Sequence, residues 1–167
     1  MNPTQEKMKT TLTKDLDNKK LLVKREFAAA TDVVWRAWTD PKILDQWWAP
    51  KPWKAVTVSQ NFKNGGRWMY YMQGPDRSRH YCIADYSNID PQKSYEGLDA
   101  FTDENGNIKS EMPRMKWKVN FVPVTNGTRV DVEISFDRIE DLNKIIEMGF
   151  EEGFAMAHRN LDEILAK

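Results

Sequence analysis

The side chains able to do metal or nucleophilic chemistry are few: His80, His158 and Cys82 are the only imidazoles and thiol in the 167-residue chain. An iron site of two histidines and one carboxylate would need both rings. They stand far apart in the sequence, and no short ligand spacing supports such a site. Cys82 sits in YCIADY, an apolar strand context where a buried thiol stays protonated and inert. No serine stands in a nucleophile-elbow setting. The glycines of NFKNGGRW make neither a phosphate loop nor a dinucleotide fingerprint. They read as a strand-to-strand turn that needs positive φ. No catalytic residue, metal or cofactor is expected from these patterns.

His158 differs from the rest, because it shares a helical face with Phe154 and Leu161. One role for it is a core histidine held by a hydrogen bond, the commoner case. The other is a polar fixture in an apolar cavity, positioning a ligand. Arg67, Arg77, Arg79, Lys116, Lys118 and Arg129 fall on or beside strands and read as solvated sheet faces.

The elements that must position these groups follow from periodicity. Arg25 to Pro50 reads REFAAATDVVWRAWTDPKILDQWWAP, a strand end followed by two short helices. Thr31 or Asp32 is the expected N-cap of the first helix, and Pro41 suits the first turn of the second. Val34, Trp35 and Trp38 form an apolar stripe. Trp47, Trp48 and Trp53 lie beside Pro50 and Pro52, where a rim or gate is as reasonable as a core.

From Lys54 the period changes to two. Val56, Val58 and Phe62 make one stripe, and Trp68, Tyr70 and Met72 another. Tyr81 and Ile83 mark a third strand and Tyr95 to Phe101 a fourth. Met115 to Phe121 and Val130 to Phe136 alternate most cleanly. Asn64-Gly65-Gly66, Gly74-Pro75-Asp76, Asp90-Pro91, Asn105-Gly106 and Asn126-Gly127 separate them. Such short connections leave no room for crossover helices, so the sheet must be an antiparallel meander. An N-terminal hairpin (Thr10–Leu16, then Leu21, Val23, Arg25 and Phe27 on one face) is expected before it. A short helix over Ile139–Ile146 and a longer one from Gly149, with Phe150, Phe154, Ala157, His158 and Leu161 on one face, complete the chain.

Lys+Arg 25 balance Asp+Glu 25, without the basic excess of a nucleic-acid protein. Met1 to Lys20 holds no apolar signal core, and no run is long enough for membrane insertion. One cysteine fits a reducing compartment. A cytoplasmic protein is expected, with residues 1–9 a flexible arm and residues 10–167 one domain.

The tryptophan-rich stretch, NGGRW and EMGFEEGF, in that order, resemble the family of the activator of heat-shock protein 90 ATPase, C-terminal-domain-like, within the START-like (SRPBCC) superfamily. The likeness runs from about Leu21 to Lys167. Trp48 matches the family's aromatic after the second helix, Gly65-Gly66 its double glycine, and Gly149 to Phe154 its C-terminal motif. The resemblance implies an α+β helix-grip fold: a curved antiparallel sheet with two short helices and a long C-terminal helix, and a cavity between sheet and helix. Carried onto this chain, it suggests Trp48, Trp68, Tyr70, Tyr81, Tyr95, Trp117, Phe150, Phe154 and His158 as ligand-binding residues. The leading reading is a binding module for a hydrophobic, aromatic or lipid-like small molecule. The alternatives are a chaperone-regulator type protein-interaction module and a polyketide cyclase/dehydratase-like enzyme working through His158 or Tyr70.

Overall fold

The computed structural model describes residues 8–167; the expected arm over residues 1–9 lies outside the described residues except for Met8 and Lys9. Strands β1 (Thr11–Asp15) and β2 (Lys20–Phe27) precede helices α1 (Thr31–Thr39) and α2 (Pro41–Trp47). Then come β3 (Lys54–Gln60), β4 (Arg67–Gln73), β5 (Arg79–Asp90), β6 (Ser94–Thr102), β7 (Met115–Val124) and β8 (Gly127–Ser135). Helices α3 (Ile139–Glu147) and α4 (Phe150–Leu165) close the chain. One eight-stranded sheet runs β1-β2-β8-β7-β6-β5-β4-β3, and every pairing is antiparallel. β3 to β8 are the expected meander, and the N-terminal hairpin joins it through β2 and β8. This is the α+β helix-grip architecture.

The alternation dictates which side each strand buries. Leu21, Val23, Arg25 and Phe27 are buried on β2, as are Met115, Trp117, Val119 and Phe121 on β7, while Lys116 and Lys118 face out. The helices cover the buried face, with the tryptophans as spacers. Trp38 lies edge-on to Trp47, Trp48, Phe121 and Phe154 at centroid distances of 5.0–6.2 Å. Trp47 is fully buried and donates to the Ala37 carbonyl at 2.9 Å, which locks α1 to α2.

Several local expectations are revised. The N-cap of α1 is Ala30, with no side-chain bond; Thr31 is instead hydrogen-bonded to Thr128 at 3.1 Å, which ties the helix start to β8. Asp40 does cap α2, accepting from the Lys42 N–H at 2.9 Å. On β3 the stripe is inverted: Ala55 is buried, whereas Val58 is 53 % exposed. The register shift between Thr57 and Ser59 breaks the alternation, and Thr57 is held inward by its bonds to Asp45 and Trp68.

Candidate functional site

A cavity of about 240 Å³ opens between the inner face of β4–β7 and the helices α3 and α4. Trp48, at the C-cap of α2, forms one wall; Trp117 of β7 and Phe154 of α4 form the next. Phe150 and Ile145 close it from the helical side, and the exposed His80 and Met148 mark its open side. The rings are fixed by one another: Trp117 meets Phe154 at 5.5 Å and Trp48 at 5.7 Å, and Phe150 meets Phe154 at 5.3 Å. Tyr70 stacks on Trp68 at 3.9 Å, and its hydroxyl oxygen accepts from the Trp48 indole N–H at 3.1 Å. The same hydroxyl is also within hydrogen-bonding reach of the Cys82 sulfur. Such mutual bracing gives a wall that exists before any ligand arrives.

Gly149 makes this geometry possible. It joins α3 to α4 with φ +88°, in the left-handed region, and there the chain turns so that Phe150 and Phe154 face the sheet. Asn160 holds the other end of α4, donating to the Ala49 carbonyl at 3.1 Å.

Within the apolar wall stands one carboxylate, Asp99 of β6. Its oxygens accept from the Trp117 indole N–H at 2.8 Å and the Met115 backbone N–H at 3.0 Å. Asp99 is half-buried and lines both this cavity and the smaller space beside it. Burial pushes its pKa up to about 7, although the two N–H donors and the Arg114 charge pull the other way. Beside it, burial first and Asp99 second raise the Cys82 thiol to about 12, so this sulfur is a protonated apolar wall atom. Burial raises the Tyr70 phenol well above its ordinary value, with Cys82 and Asp99 acting in the same direction.

Of the residues expected to bind a ligand, Trp48, Tyr70, Trp117, Phe150 and Phe154 come together on this cavity. Trp68 and Tyr95 line a smaller neighbouring space toward α1. Tyr95 there contacts Trp35, Phe62 and Tyr86. Tyr81 lies on the opposite face of the sheet, paired with Tyr71 at 5.2 Å, because Tyr70 and Cys82 take the inward phase of β4 and β5. His158 is off the cavity too. It is 1 % exposed behind Phe154, with Nδ1 hydrogen-bonded to the Thr10 hydroxyl at 2.7 Å. Burial, then the nearby Arg25 charge, lowers its pKa to about 3, so the ring is neutral.

Asp99 is the residue that sequence reasoning passed over. The signal was phase: Tyr95, Gly97, Asp99 and Phe101 share one parity, so a strand with Tyr95 inward must also turn Asp99 inward. Among the described residues no cluster of three histidine, cysteine or acidic side chains could hold a metal. Among them, too, no helix is long and apolar enough to cross a membrane.

The family model described as "Activator of Hsp90 ATPase homolog 1-like protein" matches residues 28–166. The chain belongs to this family. Among solved structures, a protein of Mycobacterium smegmatis is similar at 30% identity and TM-score 0.87, over 93% of this chain and 96% of that one. A protein of Arthrobacter aurescens shares 32% identity with TM-score 0.88, over 93% and 91% of the two chains. A third, from Staphylococcus epidermidis, has 28% identity and TM-score 0.82, over 93% of each. No curated protein matches. Activator of Hsp90 ATPase homolog 1-like membership thus rests on β3 to β8 and all four helices. The matched span holds every wall residue of the cavity.

Proposed function

We propose that the protein binds a small hydrophobic molecule, aromatic in character, in the cavity between the sheet and α4. The observation that carries this reading is the preformed wall: Trp48, Trp117, Phe150 and Phe154 hold one another in place around open space instead of filling it. Protein interiors close-pack wherever side chains can meet, so an apolar space of this size asks for an occupant. Its volume of about 240 Å³ lies just under the usual ligand-site range of roughly 300–1,000 Å³. That favours one or two fused rings over a long acyl chain.

A protein-interaction role has less behind it. Among the described residues, the large apolar side chains that are exposed (Leu16, Val33, Val58, Leu98, Ile108 and Met148) sit on different elements or turns, and no one element presents a stripe. An enzyme reading draws on Asp99, since a carboxyl near pKa 7 is suited to proton transfer at neutral pH.

The test is calorimetric titration of the protein with neutral 2-(1-naphthyl)ethanol and with decanoate. The naphthyl alcohol is expected to bind saturably, one per chain, and more tightly than decanoate. Gly153→Phe should abolish binding, because a Cβ there meets nothing nearer than Pro50 Cγ at 3.7 Å and the new ring fills the space. Absence of binding to the wild-type protein by either probe would sink the reading.

A further inference from the structure

The cavity wall contains an imbalance of charge. Asp99 brings a carboxylate into an apolar space, and among the described residues no lysine or arginine lines that space. The nearest guanidinium, Arg114, does not reach the carboxylate: its Nε donates to the Asp99 backbone carbonyl at 3.2 Å, and its other end lies 4.0 Å from Asp85. The two groups that do bond the carboxylate, the Trp117 indole and the Met115 amide, are neutral donors. A carboxylate in such a space without a counter-ion is costly, and either a proton or a cationic group relieves it. Around it stand the rings of Trp48, Tyr70, Trp117 and Phe154, whose faces attract cations.

We infer that the ligand carries one cationic amine on a compact aromatic body, with the ammonium set against the Asp99 carboxylate inside the aromatic wall. The inference rests on the reading of this cavity as a ligand site and names the ligand's chemistry there. The ammonium supplies the missing counter-charge, and the rings take up the apolar body. An anionic ligand would place two negative charges in one apolar space, and a neutral one would leave Asp99 to be neutralised by a proton alone.

The groups facing Asp99 set its response to pH. From β4 comes the Tyr70 hydroxyl and from β5 the Cys82 thiol, both held neutral by burial. Before β7 come Arg114, whose charge acts on Asp99, and Lys109, whose charge acts on Cys82. From α4 come Phe150, Gly153 and Phe154, and from the end of α2 comes Trp48, none of which titrates. His80 stands at the exposed side. Asp99 therefore titrates near neutrality, and an ammonium bound beside it shifts it to the ionised form with release of a proton.

The experiment compares three probes of one shape by calorimetry at pH 8: 2-(1-naphthyl)ethylamine, 2-(1-naphthyl)ethanol and 1-naphthylacetate. The amine is expected to bind at least tenfold more tightly than the alcohol, and the acetate most weakly. Below pH 7 amine affinity should fall by up to about tenfold per pH unit, with close to one proton released per amine in paired buffers of different ionisation enthalpy. Alcohol binding should vary less than threefold over the same range. Asp99→Asn should bring amine and alcohol within threefold of each other while the alcohol still binds, which shows that the variant's cavity is intact. Equal binding of amine and alcohol to the wild-type protein, or acetate binding tightest, would overturn the amine and leave the cavity reading standing. No binding by any of the three would remove both. If Asp99→Asn does not fold, the order of the three probes on the wild-type protein decides alone: an amine that binds no more tightly than the alcohol means no amine at Asp99.

Discussion

Asp99 and His158 give the protein two buried titrations of opposite sign. Burial raises Asp99 from 3.8 to about 7, so between those values the folded chain keeps a proton that the unfolded chain has lost. Stability from this group is fullest below about 3.8 and declines as pH rises through 7. Burial and Arg25 lower His158 from 6.5 to about 3, and there the unfolded chain binds the extra proton. Its contribution is fullest above 6.5 and is lost as pH falls toward 3. Where the windows overlap, between about pH 4 and 6.5, the two slopes of about 1.4 kcal/mol per pH unit oppose each other. Each single variant should unmask the other group. Relative to wild type, Asp99→Asn should gain stability as pH rises from 4 to 7, and His158→Asn should gain as pH falls from 6.5 to 4. Urea denaturation at a series of pH values measures both differences. Variant curves that stay parallel to the wild type would show that these groups titrate normally.

At the scale of elements, the turns that aim the cavity's walls depend on two glycines for different reasons. Gly149 has φ +88° but open space where a Cβ would stand, so Gly149→Ala meets backbone strain alone, about 1–2 kcal/mol. Gly66, in the β3–β4 turn, has the Asn61 carbonyl oxygen only 2.0 Å from a built Cβ, and its own backbone bonds Tyr86 of β5. Gly66→Ala must displace main chain, so its loss of stability should exceed that of Gly149→Ala. Thermal unfolding of the two variants ranks them, and an equal or reversed order would refute the distinction. Phe154→Ala belongs with these, because Phe154 touches Trp38, Trp48, Trp117, Phe150 and His158 at once. A loss of about 3–5 kcal/mol is expected for a ring so placed.

Across the whole molecule, one ion pair ties the first long strand to the last helix. Arg25 of β2, whose side chain is 2 % exposed, donates to both carboxylate oxygens of Asp162 on α4, one at 2.9 Å. The same guanidinium lies 4.9 Å from the Phe27 ring centroid. Asp162→Ala leaves a buried cation without its partner, and about 3 kcal/mol should be lost, the lower end for such pairs because Asp162 is 28 % exposed. The double replacement Arg25→Met with Asp162→Leu should recover most of that, since a well-packed apolar pair can equal a buried ionic one. Equilibrium unfolding of the two variants checks this. A double variant no better than the single one would show that the pair itself carries the contact.

What the sequence determined by itself is whatever depends on neighbours along the chain. Period two from Lys54 to Phe136, broken by Asn-Gly and Pro-containing turns, leaves an antiparallel meander as the arrangement that satisfies both pleat and connection length. The helical stripe from Phe150 to Leu161 needs an apolar surface, and that sheet is the one available. Tertiary structure decided the phase and the partners. Trp48, Tyr70, Trp117, Phe150 and Phe154 converge because α4 and the end of α2 lie against the β4–β7 face of the sheet, and no spacing in the chain encodes that packing. Tyr81 went to the outer face because a strand side is set by the register of its neighbours, and a one-residue difference exchanges every side chain. His158 could be placed on the apolar face of its helix from spacing alone. Its actual partner, the Thr10 hydroxyl, lies 148 residues away. Asp99 carried the right parity in the sequence, but its chemistry did not exist there. A carboxyl acquires a pKa near 7 only when folding removes water and supplies an indole and an amide instead.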